Sequence, residues 1–408
     1  MLGRSRFRDR GRGSGVGGAN LLNQATIYLG GVAPYHWLDF INNRALYASV
    51  DVGNVTQATG YSFTRASTGY YQNADGTLTL FGSGALRRGD RGVLIEGSRT
   101  NIALHSQALD NAAWGKISDG VGSVPVVTAN HGVAPDGTTT ADRVQFALNG
   151  GTTTSDRSIL QQSITVSNST VYTISFYIRS LSGNVNCSFG GDFIGGSGNQ
   201  IVVTSAWQRF VATATTTGTA ASIMVQLRGG QTPTQSNTAD LLIWGAQLEL
   251  GGFVSSPIPT VAASATRAGD SLSYTTATFA GHSYWAEFEN QGIEGAPRII
   301  GSRASAGTGL ALTSATALVT FNGATALSKT ITSVVNRVCK GASSISGSAR
   351  RVTADGLTPA TDANTWTMPT SLEIGNDSGS SQFFNGYIRR VAVFNSALTD
   401  AQLQTVTT

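Results

Sequence analysis

The apolar residues of this chain fall in short alternating bursts rather than in helical stripes. Val171–Ile178 is the clearest, with Tyr172, Ile174, Phe176 and Ile178 on one side and Thr173 and Ser175 on the other. A period of two marks a strand with one buried face. Ala206–Thr213, Ala221–Leu227 and Asp240–Glu249 read the same way, and in the last the alternation predicts one shared face for Leu242, Trp244, Ala246 and Leu248. Turns rich in Gly, Thr and Ser separate these segments, so 111–255 reads as a β-sandwich or jelly roll. Pro257 and Pro259 suit neither strand nor helix and place an extended linker at 256–268. Further strand-like bursts at Ser283–Glu289, Arg298–Ile300, Leu310–Leu312, Leu318–Phe321, Leu372–Ile374 and Tyr387–Phe394 predict a second β domain over 269–408. It ends in a capping-box pattern, Thr399-Asp-Ala-Gln402, that should open a short helix. Ahead of both, 21–110 is aromatic and β-rich, with a strand-like piece at Tyr61–Ser67 and a hairpin turn at Asp75-Gly76. The expected fold class is all-β: two tandem β-sandwiches after an extended basic arm (1–20) and a small β-rich attachment region.

Composition narrows the functions open to such a fold. Charged residues make up 12% of the chain, and Gly fills 50 positions; an average soluble protein is about 25% charged. Arg4, Arg6, Arg8, Arg10 and Arg12 stand against Asp9 alone, so the first twelve residues carry +5 − 1 = +4, the whole formal charge of +4. The remainder is neutral, which leaves no domain with a basic face and argues against nucleic acid as a partner. The arm reads either as a disordered tail or as a particle-anchoring peg that orders on docking. No apolar h-region follows these arginines, so a secretory signal is not expected and synthesis is placed in the cytoplasm. No apolar run approaches the roughly 18 residues of a membrane helix, so membrane insertion is not expected. Cys187 and Cys339 are too few and too far apart for a disulfide framework or metal cluster, which makes buried free thiols the expectation.

Catalytic signals are sparse. His36, His105, His131 and His282 are scattered singly and read as surface or turn residues. No G-x-S-x-G elbow occurs, and Gly13-Ser-Gly-Val-Gly-Gly18 matches G-x-G-x-x-G without the flanking strand a dinucleotide site needs, so it reads as flexible linker. Glu287 and Glu289 form the one pair with catalytic potential. Strand periodicity places both carboxylates on one face with Trp285, as an acid and nucleophile flanking a sugar bond would require. The plainer readings are the polar face of an edge strand or a ligand contact. Glycan binding needs aromatic platforms with amide, hydroxyl and Arg groups; Asn, Gln, Ser and Thr abound, whereas Trp207 and Trp244 on strand faces read as core. No cofactor is called for. A structural Ca²⁺ is compatible with such sandwiches, but no dense Asp cluster locates one.

Three groups of residues carry a resemblance. Phe63-Thr-Arg-Ala-Ser67, Gly92-Val-Leu-Ile-Glu-Gly-Ser-Arg-Thr-Asn101 and the Asn111/Trp114 pair resemble a module of tailed-phage virion proteins. Thr170–Tyr177, Ala206-Trp207 and Trp244-Gly-Ala-Gln-Leu-Glu249 are similar to the carbohydrate-binding-module-like jelly rolls of those proteins, as is the coda from Ser256-Pro-Ile-Pro-Thr260 to Thr266-Arg-Ala-Gly-Asp270. Leu372–Asn376, Phe384–Asn395 and Ala397–Leu403 resemble the end of a concanavalin/laminin-G-like sandwich. The resemblance implies a fibre, spike or decoration subunit on a phage or phage-like particle, with other virion proteins as partners, homotrimeric self-association and host surface polysaccharide as ligand. A depolymerase using Glu287 and Glu289, or a purely capsid-stabilising decoration protein, are the alternatives.

Overall fold

A computed structural model describes residues 17–191, 198–301, 308–322, 325–364, 370–376 and 382–408. The arginine arm, with Arg4, Arg6, Arg8, Arg10 and Arg12, lies outside the described residues, as does most of the glycine window at 13–18. Strand is the dominant regular structure of the described residues, with two α-helices, α1 (Gly17–Tyr28) and α2 (Asp400–Thr407). Two β-sandwiches make up the fold.

The first sandwich stacks two five-stranded antiparallel sheets. One runs in the order Gly115–Asp119, Arg157–Thr165, Ala220–Arg228, Val185–Gly191, Asn199–Val203, and the other Ser123–Gly132, Ala141–Ala147, Thr238–Leu250, Val171–Ser180, Gln208–Thr215. The chain crosses repeatedly between them, as in a jelly roll. Tyr172, Ile174, Phe176 and Ile178 all enter the core, where Trp114 meets Phe176 edge-on at 6.0 Å. The strand Thr238–Leu250 departs from simple alternation. Gly245, at φ +65°, sits where the register with Val171–Ser180 shifts, so the faces swap partway along. Leu241, Ile243, Ala246 and Leu248 therefore fill the core, while Leu242 and Trp244 point outward into a separate cluster. The expected shared face of Leu242, Trp244, Ala246 and Leu248 fails because one bulge residue reverses everything after it.

The second sandwich draws its strands from both ends of the chain. Its larger sheet orders Ala360–Asp362, Arg350–Ala354, Val338–Ile345, His282–Asn290, Gly386–Phe394, His36–Asp39, Arg44–Tyr47 and Val50–Gly53, with Gly92–Ile95 also paired to Gly386–Phe394. The facing sheet runs Thr325–Thr330, Ala317–Asn322, Thr308–Ser314, Arg298–Gly301, Ser371–Ile374, Ser271–Thr275, Ser62–Thr64. Leu38, Phe40, Val55, Val93 and Ile95 share one core with Phe288, Leu310, Ile374 and Val391. Most strands of the β-rich stretch inside 21–110, namely His36–Asp39, Arg44–Tyr47, Val50–Gly53, Ser62–Thr64 and Gly92–Ile95, thus complete the second sandwich, where they find open hydrogen-bonding edges. The first sandwich is inserted between Arg99–Asn101 and Ala265–Arg267, which pair with each other across its neck.

On the outer face of the larger sheet, α1 and α2 cover Trp37 and Trp285, whose rings stack at 5.6 Å. The α2 capping box forms between Thr399 and Gln402. Leu21, Ala25 and Leu29, spaced by four, supply the buried face of α1 and its exit. No helix of the described residues is long and apolar enough to cross a membrane.

Candidate functional site

Residues from four of the stretches that carry the resemblance, 63–67, 92–101, 244–249 and 256–270, converge at the seam between the two sandwiches. Arg65, Arg87 and Arg267 meet Glu96, Asp270 and Glu249 there, all six essentially buried. Arg87 donates to Glu96 at 2.6 Å, to the Ser256 hydroxyl at 2.9 Å and to the Tyr70 carbonyl at 2.9 Å, and pairs closely with Asp270. Arg65 reaches the other Asp270 oxygen at 3.1 Å and the Gly82 carbonyl at 2.7 Å. Arg267 donates to the Gly97 carbonyl at 2.6 Å and lies 3.6 Å from Glu96. Glu96 also accepts from the amide and hydroxyl of Ser256, both at 2.7 Å. Burial alone would raise its carboxyl, but Arg267 and Arg87 beside it hold it down at about 2. Glu249 accepts from the Ser255 amide at 3.0 Å. Three cations and three carboxylates leave the cluster neutral, the condition for keeping charges out of water.

Asn101 ties the neck to the linker. Its side-chain amide donates to the Ala246 and Ile258 carbonyls at 3.0 and 2.9 Å, and its oxygen accepts from Leu248 and Ala103, both at 3.0 Å. The segment around Pro257 and Pro259 forms neither helix nor strand and is pinned along the seam by Glu96, Gln247 and Asn101.

A hairpin, Gly69–Gln72 with Leu78–Phe81, wedges between the sandwiches. Because neighbouring residues in a strand face opposite ways, Tyr70 turns to the first sandwich and Tyr71 to the second. Tyr70 meets Trp244 edge-on at 6.1 Å and donates to Asp136 at 2.9 Å, while Tyr71 meets Tyr387 at 5.4 Å. The turn is the predicted one: Gly76 has φ +86°, and the Asp75 carboxylate accepts from the Thr77 amide at 2.9 Å.

Two clefts flank this seam. One, of about 470 Å³, is lined by Gln72, Arg209, Val211, the 252–257 segment, Gln291 and Asn336. The other, of about 800 Å³, includes Tyr172, Leu250, Phe383 and the Arg99–Glu294 ion pair at 2.7 Å. Sequence reasoning found neither, because the residues lining each come from distant parts of the chain.

The candidate acid pair lies elsewhere. Glu287 and Glu289 stand on His282–Asn290, an interior strand between Val338–Ile345 and Gly386–Phe394, so the edge-strand reading is corrected. Glu287 is buried and held by Arg390 at 2.6 Å, Arg389 at 3.2 Å and the Tyr28 hydroxyl at 2.9 Å. Burial and the Glu287 charge push the Tyr28 phenol up to about 12. Glu289 pairs closely with Arg91, whose guanidinium lies 3.7 Å from the Tyr387 ring centre. Trp285 is buried beneath the helices, with its indole N–H donating to the Val406 carbonyl at 2.7 Å. Each carboxylate is thus committed to arginine, and the aromatic beside them is unavailable to a sugar.

The remaining candidates are placed as follows. Trp244 is buried and donates to Thr140 at 3.0 Å; Trp207 is half-buried, donating to the Val133 carbonyl at 3.2 Å under the Arg179 guanidinium. Trp114 is core, and its indole donates to the His105 carbonyl at 3.1 Å. His36 and His282 are interior residues, contrary to the expectation of surface or turn positions, and burial lowers both to about 4. Cys187 and Cys339 are buried free thiols, each pushed up to about 12 by burial. Among the described residues no group of three or more His, Cys, Asp or Glu is arranged to hold a metal ion.

No family profile matches the chain, and no curated protein matches it. Several solved structures are similar to part of it. The sialidase CBM40 of Ruminococcus gnavus, solved with alpha2,3 sialyllactose, is 13% identical, covers 32% of this chain and 84% of its own, and has a TM-score of 0.29. Domain 4 of AbnA, a GH43 extracellular arabinanase from Geobacillus stearothermophilus solved with arabinotriose, is 14% identical over 39% of this chain and 82% of its own, with a TM-score of 0.30. The CBM22-1 xylan-binding domain of Paenibacillus barcinonensis Xyn10C is 15% identical over 37% and 92% of the two chains, with a TM-score of 0.24.

Proposed function

We propose that this chain is a structural appendage subunit that holds glycans without cleaving them, as a fibre, spike or decoration subunit of a tailed-phage-like particle. The observation that carries the glycan-holding part is the seam: two sandwiches locked by a neutral, buried ionic cluster, flanked by clefts rich in amide and hydroxyl groups. Such groups match sugar hydroxyls, which both donate and accept. The commitment of Glu287 and Glu289 to Arg389, Arg390 and Arg91 supports binding over hydrolysis, since a general acid must be free to give up a proton. The virion setting rests on the sequence resemblance, and the arginine arm is its proposed anchor. Several copies on one particle, as a homotrimer, would turn weak single-site contacts into avidity.

Incubation with host capsular polysaccharide tests the reading. Retention on a glycan array with chain length unchanged is the expected result. Shortened chains would establish a depolymerase, and neither retention nor shortening would leave only decoration of the shell. Deleting Met1–Arg12 is expected to abolish incorporation into particles, scored by gel analysis of purified virions, while both sandwiches stay folded; full occupancy by the truncated chain would overturn the anchor.

A further inference from the structure

We infer that the smaller seam cleft is a binding site for a short stretch of uncharged polysaccharide, recognised by three side-chain amides that the fold itself leaves unused. The inference rests on the glycan-binding reading above and names its site and ligand class. Gln72 comes from the wedged hairpin, while Gln291 and Asn336 come from loops of the second sandwich. The backbone of each is engaged: the Gln72 carbonyl accepts from Tyr387 at 3.0 Å, the Gln291 amide donates to Asn385 at 2.9 Å, and the Asn336 amide to Asn290 at 2.8 Å. Their side chains make no hydrogen bond among the described residues. With the backbone held and the side-chain amide uncommitted, each residue can turn a donor and an acceptor to a ligand at the cost of ordering that side chain alone.

The charge of the cleft selects the ligand. No carboxylate lines it among the described residues. Its one cation, Arg209, is already engaged, donating to the Ser255 carbonyl at 2.7 Å and to the Ser175 hydroxyl at 3.0 Å. An anionic sugar would find no uncommitted cation, whereas each amide offers a donor and an acceptor to neutral hydroxyls. Val211, an exposed residue of Gln208–Thr215 that lines the cleft, gives the apolar contact that a sugar's C–H face needs. The volume of about 470 Å³ falls among small-ligand sites. The larger cleft differs in carrying the Arg99–Glu294 pair.

Calorimetric titration of the full chain with neutral fragments (dextran, galactan and mannan oligosaccharides) and acidic ones (hyaluronan and polysialic acid fragments) tests this. The expected result is binding to a neutral fragment, weakened roughly tenfold by loss of each amide in Gln72→Ala, Gln291→Ala and Asn336→Gly. The glycine keeps the φ of +55° at position 336 while removing the amide. Gln145→Ala, on the exposed face of the first sandwich, serves as control, and thermal midpoints identify any variant that fails to fold. Neutral binding unchanged in every folded variant overturns the cleft but leaves glycan binding standing elsewhere. Binding to acidic fragments alone overturns the ligand class. No binding to any fragment overturns both the cleft and the reading it rests on.

Discussion

At the scale of single residues, burial decides what the charged groups do. Arg87 touches Glu96, Asp270, Ser256 and Tyr70 at once. Replacing it by methionine keeps much of the volume but leaves the buried cluster with one uncompensated negative charge shared by Glu96 and Asp270. Arg87→Met should therefore destabilise the protein by about 3–5 kcal/mol, read as a lower midpoint in guanidinium unfolding; a loss under ~1 kcal/mol, the range of surface pairs, would show the cluster to be weak. Acid should act through named groups as well. His36 and His282 are neutral in the folded chain, lowered from 6.5 to about 4 by burial. An unfolded chain binds protons at these sites first, so their stabilisation is complete above pH 6.5 and falls as pH drops toward 4. Each contributes up to ~3 kcal/mol over that window. Glu96, held near 2 against its ordinary 4.5, extends the loss to lower pH. Unfolding midpoints should be level from pH 7.5 to about 6.5 and decline from there to 3.5, and in His36→Asn the slope between 6.5 and 4 should shrink. An unchanged slope there would refute the assignment to His36.

Elements show how far local sequence reaches. Val171–Ser180, the Asp75-Gly76 turn and the Thr399–Gln402 cap were readable because each depends on neighbours within a few residues. The Thr238–Leu250 faces were misread because a bulge at Gly245 is invisible to alternation. The helix α1 went unpredicted, although Leu21, Ala25 and Leu29 carry a period of four that the preceding glycines obscure. The hairpin at Gly69–Phe81 was legible as a hairpin but not as a wedge, since the aromatic partners of its two tyrosines, Trp244 and Tyr387, lie more than 150 residues away. Tyr70→Ala should leave both sandwiches folded and loosen their junction, costing about 3–5 kcal/mol as for other large buried aromatics. Limited proteolysis should then cut within 252–264 faster than in the parent chain; equal cleavage rates would mean the hairpin does not hold the seam.

Across the whole molecule, the second sandwich is closed by strands separated by some 350 residues, as in the pairing of His36–Asp39 with Gly386–Phe394. Such register is set by which edges remain open after the rest has folded, and no local pattern records it. The fold class was legible, yet the weaving of 36–64 and 92–95 into the second sandwich and the insertion of the first within it were not. The candidate site followed the same rule: Glu287 and Glu289 could be placed on one strand face, but not the arginines that neutralise them. The motif residues Arg65, Glu96, Ser256, Arg267 and Asp270 were read as marks of a resemblance, and in the structure they build a joint. Its rigidity is what would let one chain present two sheet surfaces and the clefts between them in fixed relation. The most direct test is to incubate the full chain with a capsular polysaccharide that it retains, and to follow bound sugar and newly formed reducing ends in the same sample. The account predicts saturable retention with reducing ends at the level of the protein-free control; a steady rise in reducing ends that disappears in Glu289→Gln would contradict it.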